Sequence, residues 1–414
     1  MKDKKTISLL LVLLVGFIDW VGIGLVYPMF STMIFQPESE LLPWDTTHAV
    51  RGLCLGLLLS VMPTVLFFSA PILGAISDQK GRKKVLCFGL AAGVVGYIIA
   101  IIGVWLHSLT LLLISRVVIG ISAGTGAVVE AAVADLSTPQ EKTKNFGLFN
   151  MACGFGFTVG PFLGGKCSES DLGFLCGYQV PFFLACFALL INLILIIFFF
   201  YETYIPREKI KLSFLAGITN IRKAFRNRTL GVLFLVAFIA CAGWSFYWEF
   251  IPVTWLNKYH FSTSQVGNIY AYGAAVYAVS CGWLIRPIVN RFSAVRVLFY
   301  SMVGCGLSTA IMAIHQDEYW LWLYVPLQQF FIALFFPTST AIISNSVDET
   351  MQGEVLGVLQ SVQALAFAVS PLVAGSLLGL SLNAPILVGG FSMFLAALVL
   401  SIYMRKQSKY QPNA

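Results

Sequence analysis

Apolar residues dominate this chain in twelve long runs, and the charged residues are clustered mainly in the connections between them. A run of roughly 20 apolar residues, rising 1.5 Å each, matches a hydrocarbon core of roughly 30 Å. Lipid offers no hydrogen-bond partner to the backbone, so each run must satisfy its own N–H and C=O groups as a helix. The pattern predicts helices at 7–33, 51–76, 85–106, 109–134, 144–165, 179–201, 230–256, 265–287, 295–314, 319–345, 355–379 and 383–404. The stretch 202–229 is polar, basic and longer than the other connections. It reads as a linker between an N-terminal six-helix bundle at 1–201 and a C-terminal one at 230–404, with a tail at 405–414. The predicted class is an all-α membrane protein with twelve transmembrane helices in two six-helix bundles.

Composition supports that class. The 414 residues are 58% hydrophobic and 11% charged, whereas soluble domains carry roughly 25% charged residues. Lys2, Lys4 and Lys5 before an apolar stretch imitate a signal peptide, but no small-x-small cleavage site follows and the stretch runs on through Asp19 and Pro28. It is read as a retained first spanning helix. Of the 26 Lys and Arg residues, all but Arg51, Lys166, Lys258 and the intrahelical Arg116 fall in the tails, the linker or the connections on one side. The positive-inside rule places that side, with both termini, in the cytoplasm. The +7 net charge is therefore topological and implies no nucleic-acid partner. Short loops fit a bacterial inner membrane, with lipid as the surroundings and a monomer as the expected state.

Three stretches carry mechanism. Between the second and third predicted helices stands Gly74-Ala-Ile-Ser-Asp78-Gln-Lys-Gly81-Arg82-Lys83-Lys84, where Gly81 suits a positive φ and Asp78 has cations to pair with. The fifth helix holds Gly147, Gly156, Gly160-Pro161 and Gly164-Gly165, a spacing that allows close backbone approach. The first helix reads Asp19-Trp-Val-Gly22-Ile-Gly24-Leu-Val-Tyr-Pro28. The loop has the signature of the major facilitator superfamily, which the chain resembles over nearly its whole length. The fifth-helix pattern G-x8-G-x3-G-P-x2-G-G looks like the antiporter signature of exporting members. The first-helix pattern resembles the tetracycline-efflux branch of drug/proton antiporters. The resemblance implies two bundles around an alternately open cavity, solute export in exchange for protons, no cofactor, and a latching role for the loop in the outward-facing state.

Asp19 lies roughly 18 Å into the first helix, and Arg116 roughly 10–12 Å into the fourth from the opposite face. A charge at such depth costs about 3 kcal/mol or more unless it is paired or hydrated. Asp19 and Arg116 are expected to form an ion pair, either as the proton-coupling group or as a static structural pair. Polar or aromatic intramembrane candidates for solute contact are Asn150, Tyr247, Trp248, Glu249, Gln328, Gln329, Gln360 and Gln363, with helix packing and an interfacial aromatic belt as the alternatives.

Nine cysteines are present. Cys167 and Cys176 share the outer connection after the fifth helix and are expected either to pair, holding that connection closed, or to remain two free thiols. The four histidines form no metal-ligand pattern, so no metal is expected. Walker, HExxH and GxSxG motifs are absent from the sequence. The expectation is a non-enzymatic secondary transporter, driven by a gradient, that exports a small lipophilic solute or metabolite. A proton-coupled importer of a nutrient or siderophore on the same fold is the alternative.

Overall fold

The computed structural model describes residues 2–36, 41–138, 141–173, 175–203, 228–315, 317–347 and 352–410. Each predicted apolar run is a helix. Their spanning parts are α1 Lys5–Phe35, α2 His48–Lys80, α3 Arg82–Trp105, α4 Leu109–Leu136, α5 Lys144–Cys167, α6 Gln179–Phe199, α7 Leu230–Tyr259, α8 Thr263–Arg291, α9 Ala294–Ile314, α10 Glu318–Ser344, α11 Val355–Leu377 and α12 Ala384–Arg405. Among the described residues the only extended pairing is an isolated bridge between Asp171 and Cys176. Most of the linker, 204–227, lies outside the described residues.

The spans accommodate both prolines and short departures from regular α-helix. Proline stands inside α1, α2, α5, α7, α10 and α11, a position that membranes tolerate when neighbouring groups re-satisfy the backbone. In α4 the regular helix stops at Ala123 and resumes at Gly126. Hydroxyls repair that break: Thr125 donates to the Ser122 carbonyl at 2.8 Å, and Ser69 of α2 donates to the Gly120 carbonyl at 3.1 Å. In α8 one π turn, Ser280–Leu284, precedes the last two turns.

The chain divides into two units, the described residues of Met1–Thr46, Leu57–Ala216 and His260–Ala271, and those of Thr47–Gly56, Gly217–Tyr259 and Tyr272–Ala414. In the first, α1 packs on α5 and α6, and α3 on α4 and α6; in the second, α7 packs on α11 and α12, and α9 on α10 and α12. The same pairing scheme thus occurs twice, six helices apart, although the two halves share little visible sequence pattern. Apolar side chains such as Phe198, Phe391 and Leu10 stay more than half exposed on the helix surfaces, as expected where the surrounding solvent is lipid.

The α1–α5 contact explains the fifth-helix glycines. Gly156, Gly160 and Gly164 recur every four residues and lie directly on the carbonyls of Phe17, Val21 and Leu25, which recur at the same interval on α1. A side chain at any of the three would run into backbone, which cannot retract. Such close approach favours van der Waals and Cα–H···O contacts, the main attraction available between helices in lipid. Gly24 completes the seam from the other side, where an added Cβ would sit 2.8 Å from the Pro161 ring. Gly147, by contrast, has open space around it. Gly160→Leu is expected to cost about 1–3 kcal/mol by overpacking and to lower the melting temperature in detergent, while Gly147→Ala leaves it unchanged. Equal melting of both variants and the parent would refute the seam.

Candidate functional site

Asp19 sits midway along α1 beside a small cavity bounded by α1, α2, α3, α4 and α6. Its lining is apolar apart from Asp19, Tyr97 and Ser122. The α1 pattern has a local reason here. A Cβ at Gly22 would collide with the Tyr97 hydroxyl, so glycine one turn after Asp19 lets the phenol of α3 reach α1. Tyr97 is 4% exposed, and its ring meets Phe182 of α6 at 6.2 Å.

Arg116 is buried on α4, but the structure does not pair it with Asp19. Its Nε donates to the Leu58 carbonyl of α2 at 3.1 Å, and its guanidinium lies 5.4 Å from the Phe30 ring centre. The reason is axial register. The α4 residues that line the Asp19 cavity are Ile119, Ser122 and Ala123, three to seven positions further along, or about 5–10 Å at 1.5 Å per residue. The two charges remain within electrostatic reach of a common neighbour, Tyr97.

The loop between α2 and α3 forms the second cluster. Gly81 takes φ +93° and caps α3. Arg82 turns its side chain back: Nη1 meets Asp78 Oδ1 and Ser77 Oγ, both at 2.5 Å, and Nε meets Asp135 Oδ2, at the end of α4, at 3.1 Å. Glu202, just after α6, accepts from the backbone N–H groups of Arg82 at 2.8 Å and Lys83 at 3.1 Å. A carboxylate there satisfies otherwise open donors of α3 and complements its dipole. Gly74 has open space about it. Motif reading found Asp78, Gly81, Arg82 and Lys83 but missed Ser77, Asp135 and Glu202. Asp135 carried only the weak signal of an acid at a helix end, and nothing local announces a partner 120 positions away.

The solute-contact candidates fall into separate places. In the second unit Tyr247, Trp248 and Glu249 of α7 and Gln328 and Gln329 of α10 are all buried. Tyr247 donates to the Met312 sulfur at 3.7 Å, Trp248 stacks on Trp244 at 4.9 Å, and Gln329 donates to Gln328, which donates to Cys305 Sγ at 3.4 Å. These contacts tie α7 and α10 to α9. Gln363 of α11 is half-buried, whereas Gln360 of α11 and, in the first unit, Asn150 of α5 are exposed.

Cys167 and Cys176 are separate thiols in the structure. Cys167 ends α5, while Gly177 N–H bonds the Ser170 carbonyl and Leu172 N–H bonds the Leu175 carbonyl, a hairpin that sets Cys176 across from Asp171 instead. Both residues are expected to take maleimide in protein purified without reductant; protection of both until reductant is added would show that they pair.

Twelve membrane-length helices in two bundles, with a carboxylate midway along the first, define a class, an integral multi-pass membrane protein. A sequence model of the Major Facilitator Superfamily matches residues 9–289 and 233–414, and the chain belongs to that superfamily of transporters. It is 26% identical over 382 residues to the class H tetracycline resistance protein of Pasteurella multocida, covering 88% of this chain and 87% of the relative. It is 26% identical over 414 residues to multidrug resistance protein 2 of Bacillus subtilis (strain 168), covering 98% and 97%. Among solved structures, the human organic anion transporter MFSD10 superposes with a TM-score of 0.70 at 22% identity, over 96% of this chain and 99% of that one; this likeness concerns the fold.

Breaking the loop cluster checks its weight. Arg82→Gln is expected to lower both melting temperature and turnover, because it leaves the Asp78 and Asp135 carboxylates without their shared cation. Removal of one partner from a buried pair typically costs about 3–5 kcal/mol, though Asp78 is one-third exposed and the effect is correspondingly smaller. Wild-type melting in Arg82→Gln would mean that the cluster is ornamental.

Proposed function

We propose that the protein is a proton-coupled antiporter that exports a small lipophilic solute across a bacterial inner membrane by alternating access. The observation that carries this reading is the position of Asp19: a carboxylate at mid-span, on the helix gripped by the α5 glycines, facing a partly polar cavity. A carboxylate so placed is expensive to keep charged and therefore responsive to changes in solvent access. Protonation removes its charge, changes its interaction with the Arg116 side of the bundle, and biases the equilibrium between inward- and outward-open states. Arg116 supplies the neighbouring positive charge; no cofactor or metal enters the scheme.

Export is favoured over import by the tetracycline and multidrug resistance relatives and by the complete α5 pattern. The halves 1–201 and 230–404 would rock about the solute as two bodies joined by the 202–229 linker, with both termini in the cytoplasm. The Asp78–Arg82–Asp135 cluster would stiffen the cytoplasmic end of the first half and serve as its latch. The aromatic and amide groups Tyr247, Trp248, Glu249, Gln328 and Gln329 remain the best candidates for solute contact in the second half, with Asn150, Gln360 and Gln363 as further polar contacts. A monomer embedded in lipid suffices for this cycle.

Inverted vesicles decide the matter. With the lumen acidified, wild-type protein is expected to accumulate a labelled lipophilic solute from a drug panel against its gradient. Asp19→Asn should insert normally and still exchange solute downhill, but lose uphill accumulation. Uphill accumulation by Asp19→Asn would remove the coupling role. Accumulation driven only in right-side-out vesicles would replace export with import.

A further inference from the structure

The polar group that no motif claims is Tyr97. It is 4% exposed, in the middle of α3, and its hydroxyl lies against the bare backbone of Gly22, one turn from Asp19. Among the described residues it has no hydrogen-bond partner, and its side chain faces the Asp19 cavity. Leaving a hydroxyl unbonded in such a place costs about 1–3 kcal/mol, and phenylalanine would fill the same space without that penalty. The cavity gives the hydroxyl something to bond to. It has about 20 Å³ of room for water, where one water needs roughly 10–15 Å³ on that measure and two to four polar partners.

We propose that this cavity is a hydration site in which one water molecule bridges the Asp19 carboxyl, the Tyr97 hydroxyl and the Ser122 hydroxyl, and that Tyr97 is a positioning residue for the acid. The proposal rests on the reading that Asp19 carries the coupling proton. The donors and acceptors balance in both protonation states. Ser122 spends its hydrogen on the Gly89 carbonyl at 2.7 Å, so it can only accept. With Asp19 charged, the water donates to Asp19 and Ser122 and accepts from Tyr97. With Asp19 protonated, the water accepts from both the acid O–H and Tyr97, and donates to Ser122 and to the acid's carbonyl oxygen, so the phenol keeps its donor role. No heavy atom has to move. The titratable groups around this site are Arg116 and Cys186, within reach of Tyr97, and Cys153 and Glu130 on the Asp19 side. None of these four lines the cavity, and apart from the three bridged residues its walls are apolar or glycine. The water is therefore held by three polar groups in an otherwise apolar setting.

Infrared difference spectra between acidic and alkaline pH, recorded on the full chain in liposomes, test the proposal. Wild type is expected to show a carboxylic C=O band that is absent in Asp19→Asn, and with it a water O–H band that moves when H₂¹⁸O replaces water. Tyr97→Phe should lose the water band, shift the C=O band, and displace the pH profile of solute accumulation, with unchanged melting as the check that the bundle is intact. Ala123→Val, which fills the cavity and leaves Tyr97 in place, should lose the water band too. A wild-type spectrum with no ¹⁸O-sensitive band, or both bands unchanged in Tyr97→Phe, overturns the site. The parent reading fails separately, through uphill accumulation by Asp19→Asn, and that result leaves the water band in wild type as evidence for the site.

Discussion

A carboxylate placed halfway through a membrane span is the constraint that organises the first half of this protein. Hydrocarbon solvates neither the charge nor its hydrogen-bonding groups, so the surrounding helices must do so. Tyr97 of α3 and Ser122 of α4 line the same small cavity as the acid, and the close approach of neighbours requires α1 to lose side chains where they arrive. Gly22 yields to Tyr97 and Gly24 to Pro161, while three α5 glycines lie on the α1 carbonyls. Gly24 of α1 and Gly156, Gly160 and Gly164 of α5 thus form one interface seen from both sides, while Gly22 serves the contact with α3.

This geometry gives the α5 pattern a mechanical meaning. A contact made backbone to backbone over two helical turns is stiff, since no side chain can change rotamer to absorb a shift. Tightly coupled, α1 and α5 would move as a unit, and a change in the charge of Asp19 would be felt along both. At one end of the bundle the Arg82 cluster joins the ends of α2, α3 and α4 and the segment after α6 through a single guanidinium and one carboxylate cap. Rigid elements of this kind, switching between discrete arrangements, are what alternating access needs.

The second half is built on the same helix pairings with different chemistry. Its buried amides, phenol and tryptophans lie among α7, α9 and α10, where the first half concentrates its acid and arginine on α1 and α4. The second half also buries an acid, Glu249 of α7, beside its aromatic and amide groups. The proposed export of a lipophilic solute by a proton gradient draws on both halves.

The amino-acid sequence by itself determined the number of spans, their places and the class, because the length of an apolar run answers directly to the thickness of the bilayer. It also disclosed the glycine seam and the loop, since both are local spacings on one helix or one turn. The partners were settled only by tertiary structure. Arg116 was expected on Asp19 from depth counted along two separate helices; axial register places it instead on the Leu58 carbonyl and beside Phe30. Cys176 was a candidate partner for Cys167 by proximity in sequence, yet the hairpin directs it to Asp171. Asp135, Glu202 and Tyr97 gave no motif because each acts through residues tens of positions away. Depth along a helix follows from counting residues, but the face and level at which two helices meet depend on how their side chains interlock.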